Sequence, residues 1–273
     1  VLALNNQSGI SGSWDAVTGT LTLSGTASKA DYQTALRSII YQNTNEDNPS
    51  IANRTVVFSV MDGNSNGEGL GMLTTTATRD IIVQAVNDAP GVILTGSPLS
   101  YTESAIIAVD ADLVLGDVDD TTVVGATVQI TGNYLASEDV LSFDDQSGIS
   151  GSWDAVTGTL TLSGTASKAD YQTALRSITY QNTNNDNPSI ANRTVVFSVT
   201  DDNSNGEGSG MLTTTATRDI VVQAVNDAPG VILTGSPPSY TESAIIAVDA
   251  GLILEDVDDT TVVGATVQIT GNY

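Results

Sequence analysis

Gly19-Thr20-Leu21-Thr22-Leu23-Ser24-Gly25 alternates apolar and polar side chains between two glycines. A two-residue period puts Leu21 and Leu23 on one face and the threonines on the other, the pattern of a half-buried β-strand. Working outward, Thr55-Val56-Val57-Phe58-Ser59-Val60 and residues 74–86 read the same way, and residues 106–109 and 123–130 continue the β-branched pattern. Clusters of Gly, Asn and Asp separate these runs, as turns require. Such runs predict an all-β sandwich of antiparallel sheets. Residues 28–39 break the pattern: Tyr32, Ala35, Leu36 and Ile39 recur at helical spacing, Ser28 can cap, and Asp31 suits the positive helix end. One short helix is expected there and another at residues 167–178.

The second helix is expected because the chain copies itself. Residues 1–134 return as residues 140–273, and 120 of the 134 aligned pairs are identical. A repeat this long is a whole domain, not a solenoid unit. The joints are Ala85-Val86-Asn87-Asp88-Ala89-Pro90 and its copy at residues 224–229, where turn formers and a proline follow a long strand. These joints divide the chain into the C-terminal part of a repeat (1–88), a complete repeat (89–227) and the N-terminal part of a further one (228–273).

Composition narrows the function. Thirty-two Asp and Glu stand against 8 Lys and Arg, a net charge of −24. Such a surface repels nucleic acid and anionic membrane, and it suits cations. With 40% hydrophobic residues and 15% charged ones, a packed core is affordable and a disordered acidic tail is not the reading. The chain has no cysteine and no histidine. Disulfides, thiolates, imidazole catalysis and most zinc or iron sites are therefore excluded, and the remaining oxygen ligands favour calcium. No apolar run reaches membrane-spanning length.

Four elements carry a family resemblance. They are Val86-Asn87-Asp88-Ala89-Pro90, Tyr101-Thr102-Glu103, Asp117-Val118-Asp119-Asp120 and Phe58-Ser59-Val60-Met61-Asp62, and both copies contain all four. The chain thereby resembles the cadherin-like tandem repeats of large bacterial surface and adhesin proteins. The resemblance implies tandem immunoglobulin-like β-sandwiches, calcium at or near the junctions, an extracellular or cell-surface location, and work in adhesion or as an extender.

Two sets of residues are candidate calcium ligands. Asp62, Asn64, Asn66 and Glu68, with Gly67 between, match the opening of an EF-hand loop, as do Asp201, Asn203, Asn205 and Glu207. The twelfth position is Leu73 or Leu212 instead of the bidentate Glu, so the bland alternative is a polar hairpin tip. The second set lies at the joints: Asn87, Asp88, Glu103, Asp117, Asp119 and Asp120, repeated as Asn226, Asp227, Glu242, Asp256, Asp258 and Asp259. Carboxylates this dense repel one another unless cations or protons intervene; the alternative is a solvated acidic loop.

The expected function is a non-enzymatic, calcium-stabilised stiff extender whose partners are neighbouring repeats. A carbohydrate-binding module is the competing reading: Trp14 and Trp153 would stack on surface glycans, although such residues are more often half-buried aromatics of a sandwich edge. A third reading is assembly. Residues 228–273 supply strands that residues 1–88 lack, so head-to-tail strand donation would build a filament; the alternative, and the favoured one, is that the two end pieces are arbitrary cuts of a longer array.

Overall fold

The computed structural model describes residues 1–96 and 98–271; Ser97, and the last two positions of the 228–273 segment, lie outside the described residues. The chain divides into one unit of Val1–Asp88 with Asn205–Gly210 and another of Ala89–Ser204 with Met211–Tyr273.

In the first unit, β1 (Leu2–Ala3) pairs with β4 (Ile40–Tyr41). β2 (Ser11–Asp15) and β3 (Thr20–Ser24) form one hairpin, with Trp14 opposite Leu21. β5 (Arg54–Met61) and β6 (Thr74–Ile81) form another, with Phe58 opposite Ala77. Between the hairpins lies α1 (Lys29–Arg37), whose N-cap Ser28 accepts the amide of Asp31 at 3.1 Å. The two hairpins are separate two-stranded sheets.

The second unit begins with β7 (Gly91–Ile93), β8 (Leu99–Thr102), β9 (Ile107–Ala108), β10 (Val114–Gly116) and β11 (Thr122–Gly132). Then come β12 (Asp139–Ser142), β13 (Ser150–Asp154), β14 (Thr159–Ser167), α2 (Lys168–Ser177), β15 (Thr179–Asn182), β16 (Arg193–Asp201) and β17 (Thr213–Gln223). Two short strands, β18 (Gly230–Ile232) and β19 (Ile253–Glu255), follow and pair with each other. A six-stranded sheet runs in the order β13-β14-β11-β16-β17-β8, and a three-stranded sheet in the order β12-β15-β9. All neighbours are antiparallel except β17 and β8.

The period read from the sequence is what fills this core. Along β16, Val195, Phe197 and Val199 are buried and alternate with half-buried neighbours. Val123, Ala126, Val128 and Ile130 of β11 meet them, with Val128 opposite both Leu160 and Phe197. Leu141 and Tyr180 of the smaller sheet, and Tyr171, Ala174 and Leu175 of α2, complete one hydrophobic cluster. The fold is an immunoglobulin-type β-sandwich with one short helix in each copy.

Two differences from the sequence reading have physical causes. The strand expected over residues 74–86 stops at Ile81 in the first copy, whereas β17 runs on to Gln223. The extra length of β17 is stabilised by pairing with β8 from Ile220↔Leu99 to Gln223↔Thr102. Residues 262–269 repeat the interior of β11 but have no strand pairing. A strand gains its hydrogen bonds only from neighbours, so identical sequences differ where neighbours differ.

Candidate metal centres

The start of β11 and the end of β16 lie side by side, with Val123 opposite Asp201. Asp117-Val118-Asp119-Asp120 leads into that start, so carboxylate oxygens of Asp117, Asp120 and Asp201 fall within 4.8 Å of one another. The turn is built by its own side chains: Asp117 Oδ1 accepts the amides of Asp119 at 3.2 Å and Asp120 at 3.0 Å. Asp120 is 1% exposed, and its Oδ1 accepts the Ser204 amide at 2.8 Å and hydroxyl at 2.6 Å. Asp201 is fully buried and accepts the Leu212 amide at 3.0 Å.

These bonds leave oxygens over. Asp117 Oδ2, Asp120 Oδ2 and Asp202 Oδ1 are buried without a hydrogen-bond partner among the described residues. A buried carboxylate oxygen left in this state is costly. Burial first, and then the adjoining Asp119 carboxylate, push Asp117 up to about 6, although the Asp120 and Asp119 amides pull the other way. Lys168 Nζ approaches at 2.6 Å but donates to the Asp117 main-chain carbonyl, not to a carboxylate. Oxygen donors alone, at high negative charge, fit a hard divalent cation of the calcium type.

A second acidic group lies at the other end of the six-stranded sheet. Glu103 follows β8, where Thr102 pairs with Gln223, and its Oε2 accepts the Val225 amide at 2.8 Å. The Asp227 amide donates to Asp258 Oδ2 at 3.0 Å, and Asp256, Asp258 and Asp259 offer oxygens within 4.8 Å of one another. Asp227 Oδ2 and Asp258 Oδ1 are buried without a partner among the described residues. Burial, followed by the charges of Glu103, Asp258, Asp186 and Asp256, raises Asp227 above the usual carboxylate range. Asp256 is instead lowered, chiefly by the Asp259 amide and then by Asp258.

The structure therefore sorts the expected ligands differently from the sequence. Glu103 does not join Asp117, Asp119 and Asp120, because β16 and β17 are antiparallel and carry the chain to the opposite end before β8 pairs. Asp201, expected at the hairpin tip, offers a carboxylate oxygen within 4.8 Å of those of Asp117 and Asp120. The tip in the first unit spends its side chains on its own backbone. Asp62 Oδ1 accepts from Asn64 and Leu73, and Asn64 bonds both the amide and the carbonyl of Glu68. Asn66 and Glu68 are exposed there. Asn203 shares the left-handed backbone of Asn64, with φ of 44° and 39° respectively. Asn205 and Glu207 group with Asn87 and Asp88 in the first unit, where Asn87 Nδ2 donates to Gly210 O at 3.0 Å. Asn226 Nδ2 donates to the Asp227 carbonyl at 2.9 Å, and Glu242 is exposed. Asp202 and Ser204 were not among the expected ligands. The change from Gly63 to Asp202 between the copies was the available signal.

No protein-family model matches the chain. A curated relative, halomucin of Haloquadratum walsbyi, is 33% identical over 126 residues, which are 44% of this chain and 1% of that protein. The chain thus spans about 1% of the length of the curated relative it matches. Among solved structures, domains 4 and 5 of the S-layer protein SbsC align at 11% identity and TM-score 0.28, covering 81% of this chain and 96% of theirs. AggA, the major subunit of an Escherichia coli aggregative adherence fimbria, aligns at 16% and 0.20, covering 52% and 99%. Domains EC1-3 of protocadherin gamma C5 align at 14% and 0.24, covering 94% and 67%. The fold assignment stands on the strand pairing described above, not on these partial likenesses.

Proposed function

We propose that the chain is a non-enzymatic, calcium-stabilised repeat segment of a large extracellular surface or adhesion protein, and that it works as a stiff extender. The observation that carries this reading is the set of buried, unpartnered carboxylate oxygens of Asp117 and Asp120 beside Asp201. A divalent ion there would satisfy those oxygens and cancel their repulsion, tying the turn before β11 to the end of β16. Asp227, Asp256, Asp258 and Asp259, with Glu103 nearby, would do the same where residue 227 leads into the next repeat. Fixing successive repeats through such sites converts a flexible string into a rod. The 33% identity to a segment of halomucin, itself a very small fraction of that protein, supports a place within a large surface protein. The near-exact internal copy fits extension better than catalysis.

Trp153 meets Tyr134 edge-on with ring centroids 6.3 Å apart and packs against the core, which favours a structural role over a glycan platform. Calcium titration of the metal-free chain, followed by calorimetry and thermal melting, tests the reading. Saturable binding with a raised Tm, reversed by EDTA and not matched by equal ionic strength of sodium, is expected. An unchanged Tm at millimolar calcium would overturn it.

A further inference from the structure

The triplet Asn-x-Ser/Thr, with x other than proline, is the acceptor signature for N-linked glycan transfer, and the sequence contains it at Asn6, Asn53 and Asn192. Asn48 and Asn187 are followed by Pro49 and Pro188 and drop out. The fold separates the remaining three. Asn6 is spent on a turn: its Oδ1 accepts the Gly12 amide at 2.9 Å, and Asp145, its counterpart in the second copy, accepts the Gly151 amide in the same way at 2.8 Å. An aspartate serves equally well there, so that position keeps its turn and loses its acceptor. Asn53 and Asn192 instead hold one position in both copies, and both are exposed.

Asn192 lies in the complete repeat, one residue before β16. Its main chain is fixed from two directions. The Asn192 carbonyl accepts Asn133 Nδ2 at 2.7 Å, and the next residue, Arg193, is fully buried against Asp139. Extended chain puts residues i and i+2 on one face. With Arg193 in the core, Asn192 and Thr194 share the outer face, which sets the amide and the hydroxyl of the signature side by side. The Asn192 side chain makes no hydrogen bond among the described residues. The nearby Asn133, Asn182 and Asn184 spend their amides on the Asn192 carbonyl, Glu138 Oε2 and the Asn187 carbonyl. Thr194 Oγ1 donates to Asp219 Oδ1 at 2.8 Å in an exposed bond, which water or an enzyme group replaces at little cost. The first copy repeats that bond, with Thr55 Oγ1 2.7 Å from Asp80 Oδ1.

We propose that Asn192 is an acceptor for an N-linked glycan, and that Asn53 is the same acceptor in the preceding copy. The donor is an oligosaccharide joined through phosphate to a membrane lipid. Asn192 Nδ2 attacks the anomeric carbon, the bond from that carbon to the phosphate oxygen breaks, the lipid phosphate departs, and the amide nitrogen gives up one proton. The fold need not open, since the amide has no hydrogen bond to lose. The position also spares the acidic cluster. Asn192 precedes β16 and Asp201 ends it, so nine residues of extended chain hold them about 30 Å apart. A bulky glycan at Asn192 therefore leaves Asp117, Asp120 and Asp201 accessible. The modification rests on the extracellular placement of the chain and not on the calcium reading.

The folded chain is incubated with a single-subunit oligosaccharyltransferase that reads Asn-x-Ser/Thr and with a lipid-phosphate-linked oligosaccharide. Peptide mass spectrometry should find the glycan on Asn192 and Asn53 and none on Asn6. Asn192→Gln and Thr194→Val should each remove it from residue 192 without changing the occupancy of Asn53, whereas Thr194→Ser should retain it. Asn192→Gln should melt as the unmodified chain does. A synthetic peptide of residues 188–198 runs alongside. Glycan on that peptide but not on the folded chain would show that the fold closes the site, and glycan on neither would show that the triplet is not read. Either result overturns the proposal, as would transfer to Asn6 equal to that at Asn192. The glycosylated and bare chains should respond alike to calcium, so failure here is distinct from failure of the calcium titration.

Discussion

Asp201, the last residue of β16, and Asp120, which leads into β11, hold carboxylate oxygens within 4.8 Å of each other although neighbouring strands separate them in sequence. Both are buried, and Asp120 leaves Oδ2 without a partner among the described residues. Strand register brings like charges together here, so a cation bound between them would be linked to folding.

Asp120→Asn separates the charge from the turn. The substituted side chain keeps an oxygen for the Ser204 amide and hydroxyl, so the metal-free protein should melt at or slightly above the unmodified one. In the unmodified chain, calcium at a hundredfold excess over Kd should add about 2.7 kcal/mol, or roughly 5–10 °C in Tm. In Asp120→Asn most of that rise should vanish. Differential scanning calorimetry with and without calcium decides it, and an equal rise in both proteins would rule out Asp120 as a ligand.

Asp110 gives a pH signature away from the acidic clusters. Burial alone would raise it, but the Thr95 amide and hydroxyl and then the Arg218 guanidinium outweigh burial and hold it below the usual carboxylate range. A lowered folded-state value means that the unfolded chain binds the proton more readily. The stabilisation is therefore complete above the ordinary value of 3.8 and is lost as pH falls below it. Asp110→Asn should cost about 3 kcal/mol near neutrality and progressively less below about pH 4. Urea unfolding of both proteins at several pH values measures the difference; a cost independent of pH would contradict the ion-pair account.

Much of this was legible in the residues themselves. The alternation around Leu21 and Leu23 marks β3, and the spacing of Tyr32, Ala35 and Leu36 marks α1 to within two residues of its end. The acidic turn at Asp117–Asp120 was also visible. What the sequence concealed was register. Nothing local shows that β8 pairs in parallel with the far end of β17, which sends Glu103 to Asp227 instead of to Asp117. Nor can a local reading distinguish Asp62, tied to its own loop, from Asp201, which meets Asp117 and Asp120 once β11 lies alongside.

Gly164 tests the approach of β14 to the loop before β13. Its φ is +122°, and an added Cβ would lie 2.3 Å from the Gly148 carbonyl oxygen. Main chain cannot yield as a flexible side chain does, so Gly164→Ala should destabilise by at least about 1–3 kcal/mol. Gly25 repeats the geometry, with φ +129° and 2.2 Å to the Gly9 carbonyl oxygen. Chemical denaturation of Gly164→Ala should show a lower midpoint with an unchanged slope; an unchanged midpoint would mean that the loop moves away freely.

Arg193 is the largest test of the buried polar core. Its Nε lies 2.8 Å from Asp139 Oδ2, with both side chains fully buried, while its Nη1 donates to the Ser189 and Ala191 carbonyls. Tyr180 donates to the same carboxylate at 2.7 Å and the Leu135 amide at 2.8 Å, so removing Arg193 leaves a buried negative charge held by neutral donors without a counter-ion. Arg193→Met should therefore cost about 3–5 kcal/mol. Arg54, the same residue of the first copy, is only half-buried and donates to the Ala52 and Ser50 carbonyls. Arg54→Met should cost about 1 kcal/mol or less, the scale of hydrogen bonds that water can replace. Hydrogen exchange resolves the two substitutions in one chain, because amides of β16 and of β5 report separately. Equal loss of protection in both strands would show that burial of the guanidinium, and not its sequence context, was misjudged as the source of the difference.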